Sequence, residues 1–268
     1  MRRALTATLI VALIAGSQAA RAQQYGARTP IPQTTSEPAM RNLAVQREIH
    51  ERFRLGLDAE ARGDWRAAIP EFARIAALQP GEPQHSTAVY NLGIAYAGLH
   101  RYNEAATAFK DAIARDPEFL AAYANMIAVD LERRDLTEAK AFGDRFVRLA
   151  PDSARALYSR GLVSLHSGDL SGAIEDFGKL LARNPSYAVA HYDLGLAHAR
   201  MNQWPEAERE FTMAVDLAPS YARARFALAT VLLREGRRSE ARAALDATLR
   251  DASDPVLKNL AAALRNSI

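Results

Sequence analysis

The chain has 268 residues, 49% of them apolar and only 7% aromatic, with no cysteine. Abundant Ala suits helices that approach closely through small side chains and argues against a β-sandwich, which draws on Val, Ile and aromatics; the lack of cysteine excludes disulfide staples and thiol nucleophiles. The formal charge of +3 comes from Arg2, Arg3 and Arg21, because without them the 34 basic residues become 31, equal to the 31 acidic ones, and such balance argues against nucleic acid as a partner.

Taken in chain order, residues 1–22 read as a secretory signal peptide. Arg2 and Arg3 give a positive start, Ala4 to Ala15 an apolar run, and Ala20-Arg21-Ala22 a small-x-small cleavage site. The run is shorter than the roughly 20 residues a bilayer-spanning helix needs, which favours a cleaved leader over the alternative of an uncleaved anchor. The expectation is a soluble periplasmic or secreted protein cut near Ala22, with no stable membrane anchor afterwards. Residues 23–40, with Pro30, Pro32 and Pro38, lack apolar periodicity and are expected to be a disordered linker.

A repeat follows. Pro117, Pro151, Pro185 and Pro219 are spaced by 34 residues, and Pro80 precedes them by one period plus a short insertion around Gly81-Glu82-Pro83. Twelve residues before each Pro stands Ala68, Ala105, Ala139, Ala173 or Ala207, followed four later by Phe72, Phe109, Gly143, Phe177 or Phe211. Gly56, Gly93, Gly161 and Gly195 lie a further twelve upstream. Pro ends a second helix, since it lacks an N–H and disfavours helix in the residue before it. Gly and Ala belong where two helices cross closely. Turn residues between the helices include Gly63-Asp64, Arg134-Asp135, Gly168-Asp169, Asn202-Gln203 and Gly236-Arg237.

These residues resemble the tetratricopeptide repeat family, most closely in Val89-Tyr90-Asn91-Leu92-Gly93-Ile94-Ala95-Tyr96 with Tyr102, Ala105, Phe109, Ala112 and Pro117. The resemblance implies an all-α, right-handed α-α solenoid of about six helix pairs, at 49–82, 86–119, 120–153, 154–187, 188–221 and 222–255. The third unit departs, with Met126-Ile127 for Leu-Gly and Gly143 for Phe. The sixth has Ala229 for Gly and Leu245 for Phe. Residues 256–268, after the cap and turn Asp254-Pro255, carry the apolar stripe Val256, Leu257, Leu260 and Leu264 and are expected to form a helix covering the hydrophobic end of the array.

No catalytic constellation emerges: there is no phosphate-binding glycine loop and no nucleophile elbow. The six His are scattered; His191 and His198 are seven apart rather than the four a helical zinc pair uses, with His166 one repeat earlier. The chain is therefore expected to be no enzyme and to need no cofactor or metal. What the resemblance implies is a protein or peptide partner held in a concave groove lined by the first helices. On the family's inward face lie Phe53, Tyr90, Ile94, Tyr158, Leu162, Tyr192, Leu196 and Phe226, with Asn91 and Asn125 beside them as a candidate two-rung ladder for a peptide backbone. Two readings of this stripe stay open, groove lining and packing between repeats. So do two further functional readings: an assembly factor for an envelope polymer such as peptidoglycan or polysaccharide, and a self-associating homo-oligomeric scaffold.

Overall fold

A computed structural model describes residues 37–78 and 83–268, with side chains from residue 41 and, after the gap, from residue 85. The signal-peptide reading and nearly all of the linker reading lie outside these residues. The described residues hold helices and no strand. They divide into two compact units, one ending at Leu149 and one running from Ala150 to Ile268.

The N-terminal unit contains α1 (Glu37–Ala61), α2 (Trp65–Leu78), α3 (Pro83–Gly98), α4 (Tyr102–Arg115), α5 (Leu120–Arg133) and α6 (Leu136–Leu149). The C-terminal unit contains α7 (Ala154–Ser167), α8 (Leu170–Arg183), α9 (Ala188–Arg200), α10 (Trp204–Leu217), α11 (Ala222–Arg234), α12 (Arg238–Asp251) and α13 (Pro255–Asn266). Within each unit every helix packs on the next in sequence. Odd-numbered helices are the first of each pair and even-numbered ones the second, with α13 added at the end. One boundary differs from expectation: α1 begins at Glu37, inside the stretch assigned to the linker. Pro38 stands in its first turn, where a missing N–H costs no helical hydrogen bond.

The turns inside the pairs all use the left-handed region. Gly63, Gly168 and Gly236 have φ of 71°, 89° and 77°, and the equivalent His100, Arg134 and Asn202 adopt 59°, 61° and 59°. Side-chain caps start several helices: Asp64, Asp135 and Asp169 accept from the backbone N–H three residues on, and Asp254 from that of Val256. Second helices α4, α8 and α10 stop at Arg115, Arg183 and Leu217, and the residue between each and its proline (Asp116, Asn184 or Ala218) is no longer helical.

The core repeats with the sequence. A Cβ placed on Gly56, Gly93, Gly161 or Gly195 would come within 2.6–2.7 Å of the ring of Phe72, Phe109, Phe177 or Phe211. The first helix thus gives up its side chain so that the second can insert a phenyl ring. The third pair reverses this. Ile127 holds the glycine's place on α5 and Gly143 the phenylalanine's on α6, and both are buried. Bulk has moved from one helix to the other, and Tyr123 on α5 stacks on Phe146 of α6 at 5.9 Å and 24°. The sixth pair takes a middle course, with Ala229 and Leu245 fully buried in one cluster with Ala261 of α13. Helix α13 also sets Leu257 against Ala222 and Ala252, with Phe226 packed alongside, so it covers the last pair as expected of a cap.

Candidate functional site

Most of the aromatic and aliphatic stripe expected to line a groove is interior. In the N-terminal unit Phe53 is fully buried and meets Phe72 edge-on at 6.0 Å. Tyr90 is sealed between Phe109 (5.7 Å) and Phe119 (4.8 Å), while Asn91 and Ile94 are only 1% exposed. Asn125 does not present its amide N–H to a ligand, because Nδ2 donates to the Tyr90 hydroxyl at 2.9 Å inside the protein. Asn91 and Asn125 are thus buried, with Asn125 bonded to Tyr90 of the preceding first helix, and Phe53, Tyr90 and Ile94 lie in the core.

In the C-terminal unit the stripe is deeper than expected but not sealed. Tyr158 packs on Phe177 at 5.9 Å and Tyr187 at 5.5 Å, and Leu162 is 6% exposed. Tyr192 lies against Phe211 at 5.9 Å and Tyr221 at 5.1 Å. These three side chains serve packing first. Leu196 and Phe226 stay partly exposed, and beside them Tyr187 and Val189 are open to solvent at 41% and 39%.

Several residues that sequence reasoning missed organise this face. Asp193 is buried, and the Tyr158 hydroxyl donates to its Oδ2 at 2.8 Å. Burial pushes its carboxyl up to about 7, against the opposing pull of the Tyr158 hydrogen bond and the Arg200 charge. Burial likewise raises the phenols: Tyr192 to about 12, and Tyr187, Tyr158 and Tyr221 upward, each with the Asp193 charge contributing. The charges of Arg155 on Tyr187, of Arg223 on Tyr192 and Tyr221, and of Arg200 on Tyr192 and Asp193 oppose these rises. Arg200 is anchored by donating from Nη1 to the Leu165 carbonyl at 2.7 Å. The signal for Asp193 was present: it lies two and three periods of 34 beyond Asn125 and Asn91, with Ser159 between. Tyr158–Asp193 and Tyr90–Asn125 are the same 35-residue bridge used in the two units.

The histidines do not converge. His191 places Nδ1 2.6 Å from Glu210 Oε2 and Nε2 2.9 Å from the Pro185 carbonyl, while His198 pairs with Gln203 at 2.7 Å. Among the described residues no group of three or more His, Asp or Glu side chains is placed to hold a metal ion. No described helix is long and apolar enough to cross a membrane.

The face thus combines partly exposed apolar groups with tyrosine rings packed on their neighbours. Comparison with known proteins agrees with the helix-pair repeat. A family model for the tetratricopeptide repeat matches residues 53–118, 90–145, 129–189 and 192–255, and a second for the same repeat matches 164–216. No curated protein matches the chain. A crystal structure of a tetratricopeptide repeat protein from Parabacteroides merdae is similar with a TM-score of 0.72 at 18% identity, over 82% of this chain and 86% of that one. MamA from Desulfovibrio magneticus RS-1 is similar with a TM-score of 0.59 at 25% identity, over 65% of this chain and 97% of that one. YrrB, another protein of this repeat, gives a TM-score of 0.54 at 17% identity, over 72% and 97%. With its helix pairs, its glycine–phenylalanine crossings and family matches that run from residue 53 to residue 255, the chain belongs to the tetratricopeptide repeat family.

Proposed function

We propose that this protein is a non-enzymatic interaction scaffold of the cell envelope that holds a segment of a partner protein on the first helices of its C-terminal unit. The observation that carries the reading is the face around Tyr187, Val189, Leu196 and Phe226. Here apolar side chains remain accessible on helices whose other faces are packed. Partly exposed rings held rigid by neighbours lose little entropy on binding, which is why aromatic anchors dominate protein interfaces. YrrB, similar in fold, is described as having an unusual peptide-binding site, which is consistent with an array of this kind serving a peptide. Export rests on residues 1–22, with their basic start, apolar run and Ala-Arg-Ala site.

The test is crosslinking in the protein's own host cells followed by mass spectrometry, comparing the natural chain with Leu196→Glu. Leu196 is the better probe than Leu162, whose burial would confound binding with folding. Partner crosslinks that fall on α7, α9 and α11 and disappear in a Leu196→Glu protein of unchanged thermal stability are expected. Crosslinks confined to other surfaces, or untouched by the substitution, refute the reading. N-terminal sequencing of the same material should begin at Gln23; a chain starting at Met1 refutes export by a cleaved leader.

A further inference from the structure

We infer that His191 is a proton-operated latch. With its extra proton it ties the α8–α9 connection, which carries Tyr187, to α10; without that proton one of its two ties is released.

His191 is only 8% exposed, with Nδ1 2.6 Å from Glu210 Oε2 of α10 and Nε2 2.9 Å from the Pro185 carbonyl just past the end of α8. A carbonyl oxygen accepts and never donates, and so does an ionised carboxylate. A neutral imidazole donates from one nitrogen alone, so it satisfies one partner and turns a lone pair on the other. Both contacts are hydrogen bonds only when ring and carboxyl together hold one more proton, whether it rides on Nδ1 or on Oε2. Burial leaves the ring little water to replace a lost partner.

The same register position in the other repeats shows what is asked of it. Counting by the repeat, His191 corresponds to Arg52, Val89, Tyr123, Leu157 and Arg225. Arg225 makes the same pair of ties with a permanent cation, donating from Nη2 to the Pro219 carbonyl and from Nη1 to Asp251 of α12 at 2.5 Å. The Tyr123 hydroxyl donates to the Pro117 carbonyl at 2.9 Å, and Arg52 reaches Glu71 of its second helix at 3.0 Å. Histidine is the one residue type in this set whose charge changes between about pH 5 and 8. The fifth pair thus has a titratable version of the joint that the sixth pair makes with arginine.

The charged groups around the ring are otherwise engaged. On α10, Glu206 lies one turn before Glu210 and 3.9 Å from Arg209. Helix α8 ends in Arg183, paired with Asp152 at 2.5 Å, and its Asp176 is held by Arg160 of α7. Asp193, two positions further along α9, accepts from the Tyr158 hydroxyl of α7. Rising pH therefore opens the latch and loosens the stretch from Pro185 to His191. Tyr187 belongs to the face assigned above to a partner, so firmer partner binding on the acid side rests on the scaffold reading; the latch itself does not.

Backbone hydrogen exchange of the purified protein, followed by NMR at about pH 5.5 and about pH 8.5, tests the latch. The amides of Ala190 and His191 donate to the Tyr187 carbonyl at 3.0 and 3.2 Å, and those of Ala224 and Arg225 donate to the Tyr221 carbonyl at the same two distances, a matched reference whose cation is permanent. Asp193→Asn is introduced throughout, because the Asp193 carboxyl also titrates in this range; asparagine already serves at the equivalent Asn125. The protection of Ala190 and His191, relative to Ala224 and Arg225, is expected to fall about tenfold from the lower to the higher pH. His191→Arg should abolish the fall. So should Glu210→Gln, whose amide donates to Nδ1 of the neutral ring. Circular dichroism melting confirms folding, and the two variants remove the proton dependence from opposite sides of one bond, so either suffices. A constant ratio in Asp193→Asn, or a fall that persists in either folded variant, overturns the latch and leaves the crosslinking test of the scaffold reading untouched.

Discussion

Gly195→Ala is expected to destabilise the protein although it replaces glycine by the best helix former. In an unobstructed helix interior the change gains about 1 kcal/mol. At Gly195, however, the new Cβ would lie 2.7 Å from both Cδ1 and Cε1 of Phe211, more than half an ångström inside the usual contact distance. The ring cannot slide away freely, because it packs on Tyr192 and sits in a cluster with Ala207, Ala214, Ala224, Ala227 and Val231. Overpacking of this kind costs about 1–3 kcal/mol, leaving a net loss of up to about 2 kcal/mol after the propensity gain. Gly178 on α8 supplies the control in the same unit, since a Cβ there meets nothing within 4 Å. Gly178→Ala should gain about 0.5–1 kcal/mol, so the two variants should differ by the overpacking cost of about 1–3 kcal/mol in urea denaturation. Trimming the ring with Phe211→Leu should make Gly195→Ala less harmful than it is alone, the non-additivity expected of side chains in contact. If Gly195→Ala and Gly178→Ala stabilise equally, the crossing does not require glycine and the packing argument for all four equivalent pairs fails.

Stability should fall as the medium becomes less acidic. Burial raises the carboxyl of Asp193 to about 7, and burial with the nearby Glu138 charge raises that of Asp130 to about 7. The folded state thus holds these protons more tightly than the unfolded chain. Their contribution is fully present below pH 4 and is lost as pH rises through 7, a change of about 3 kcal/mol per group at most between pH 5 and 8. Urea midpoints at those two pH values should converge in Asp193→Asn/Asp130→Asn, and an unchanged slope would contradict the assignment. Arg160→Ala strands the buried Asp176 carboxylate and should cost about 3 kcal/mol, most of it recovered when Asp176→Asn is added; calorimetric melting reads both. In the third pair, Gly143→Phe should be severely destabilising alone and partly rescued by Ile127→Gly, because the two positions share one crossing. Additive effects of the two substitutions in urea melts would refute the exchange of bulk between α5 and α6.

The repeat was legible because each of its markers answers a local demand: Gly where a ring enters, Ala beside it, Pro past the helix end. The start of α1 was not, since Pro38 reads equally as linker punctuation or as a first-turn residue, and only packing further along decides. For the binding face, spacing along one helix identified an apolar stripe but not what covers it. Phe53, Tyr90 and Ile94 belong to that stripe and are buried by neighbouring helices, a fact about several repeats that no single helix reveals. Leu196 and Phe226, on the same stripe, remain partly exposed. Tyr187 and Tyr221 were overlooked because they close their repeats at the turn, outside the stripe. Asp193 was overlooked because an acid does not resemble the asparagines whose position it shares.

The exchange of Ile127 and Gly143 bears on how such a chain can be altered by evolution or by design. Each pair settles its own fit between thick and thin partners, so a complete 34-residue module carries a finished joint with it. A splice falling between the two helices of a module would join α5 to a partner bearing phenylalanine, or α6 to one bearing glycine, giving a collision in one hybrid and a void in the other. Viable duplications and swaps should therefore have their seams in the connections after a second helix, and chimeras cut at the Arg134 turn should be the ones that fail to fold.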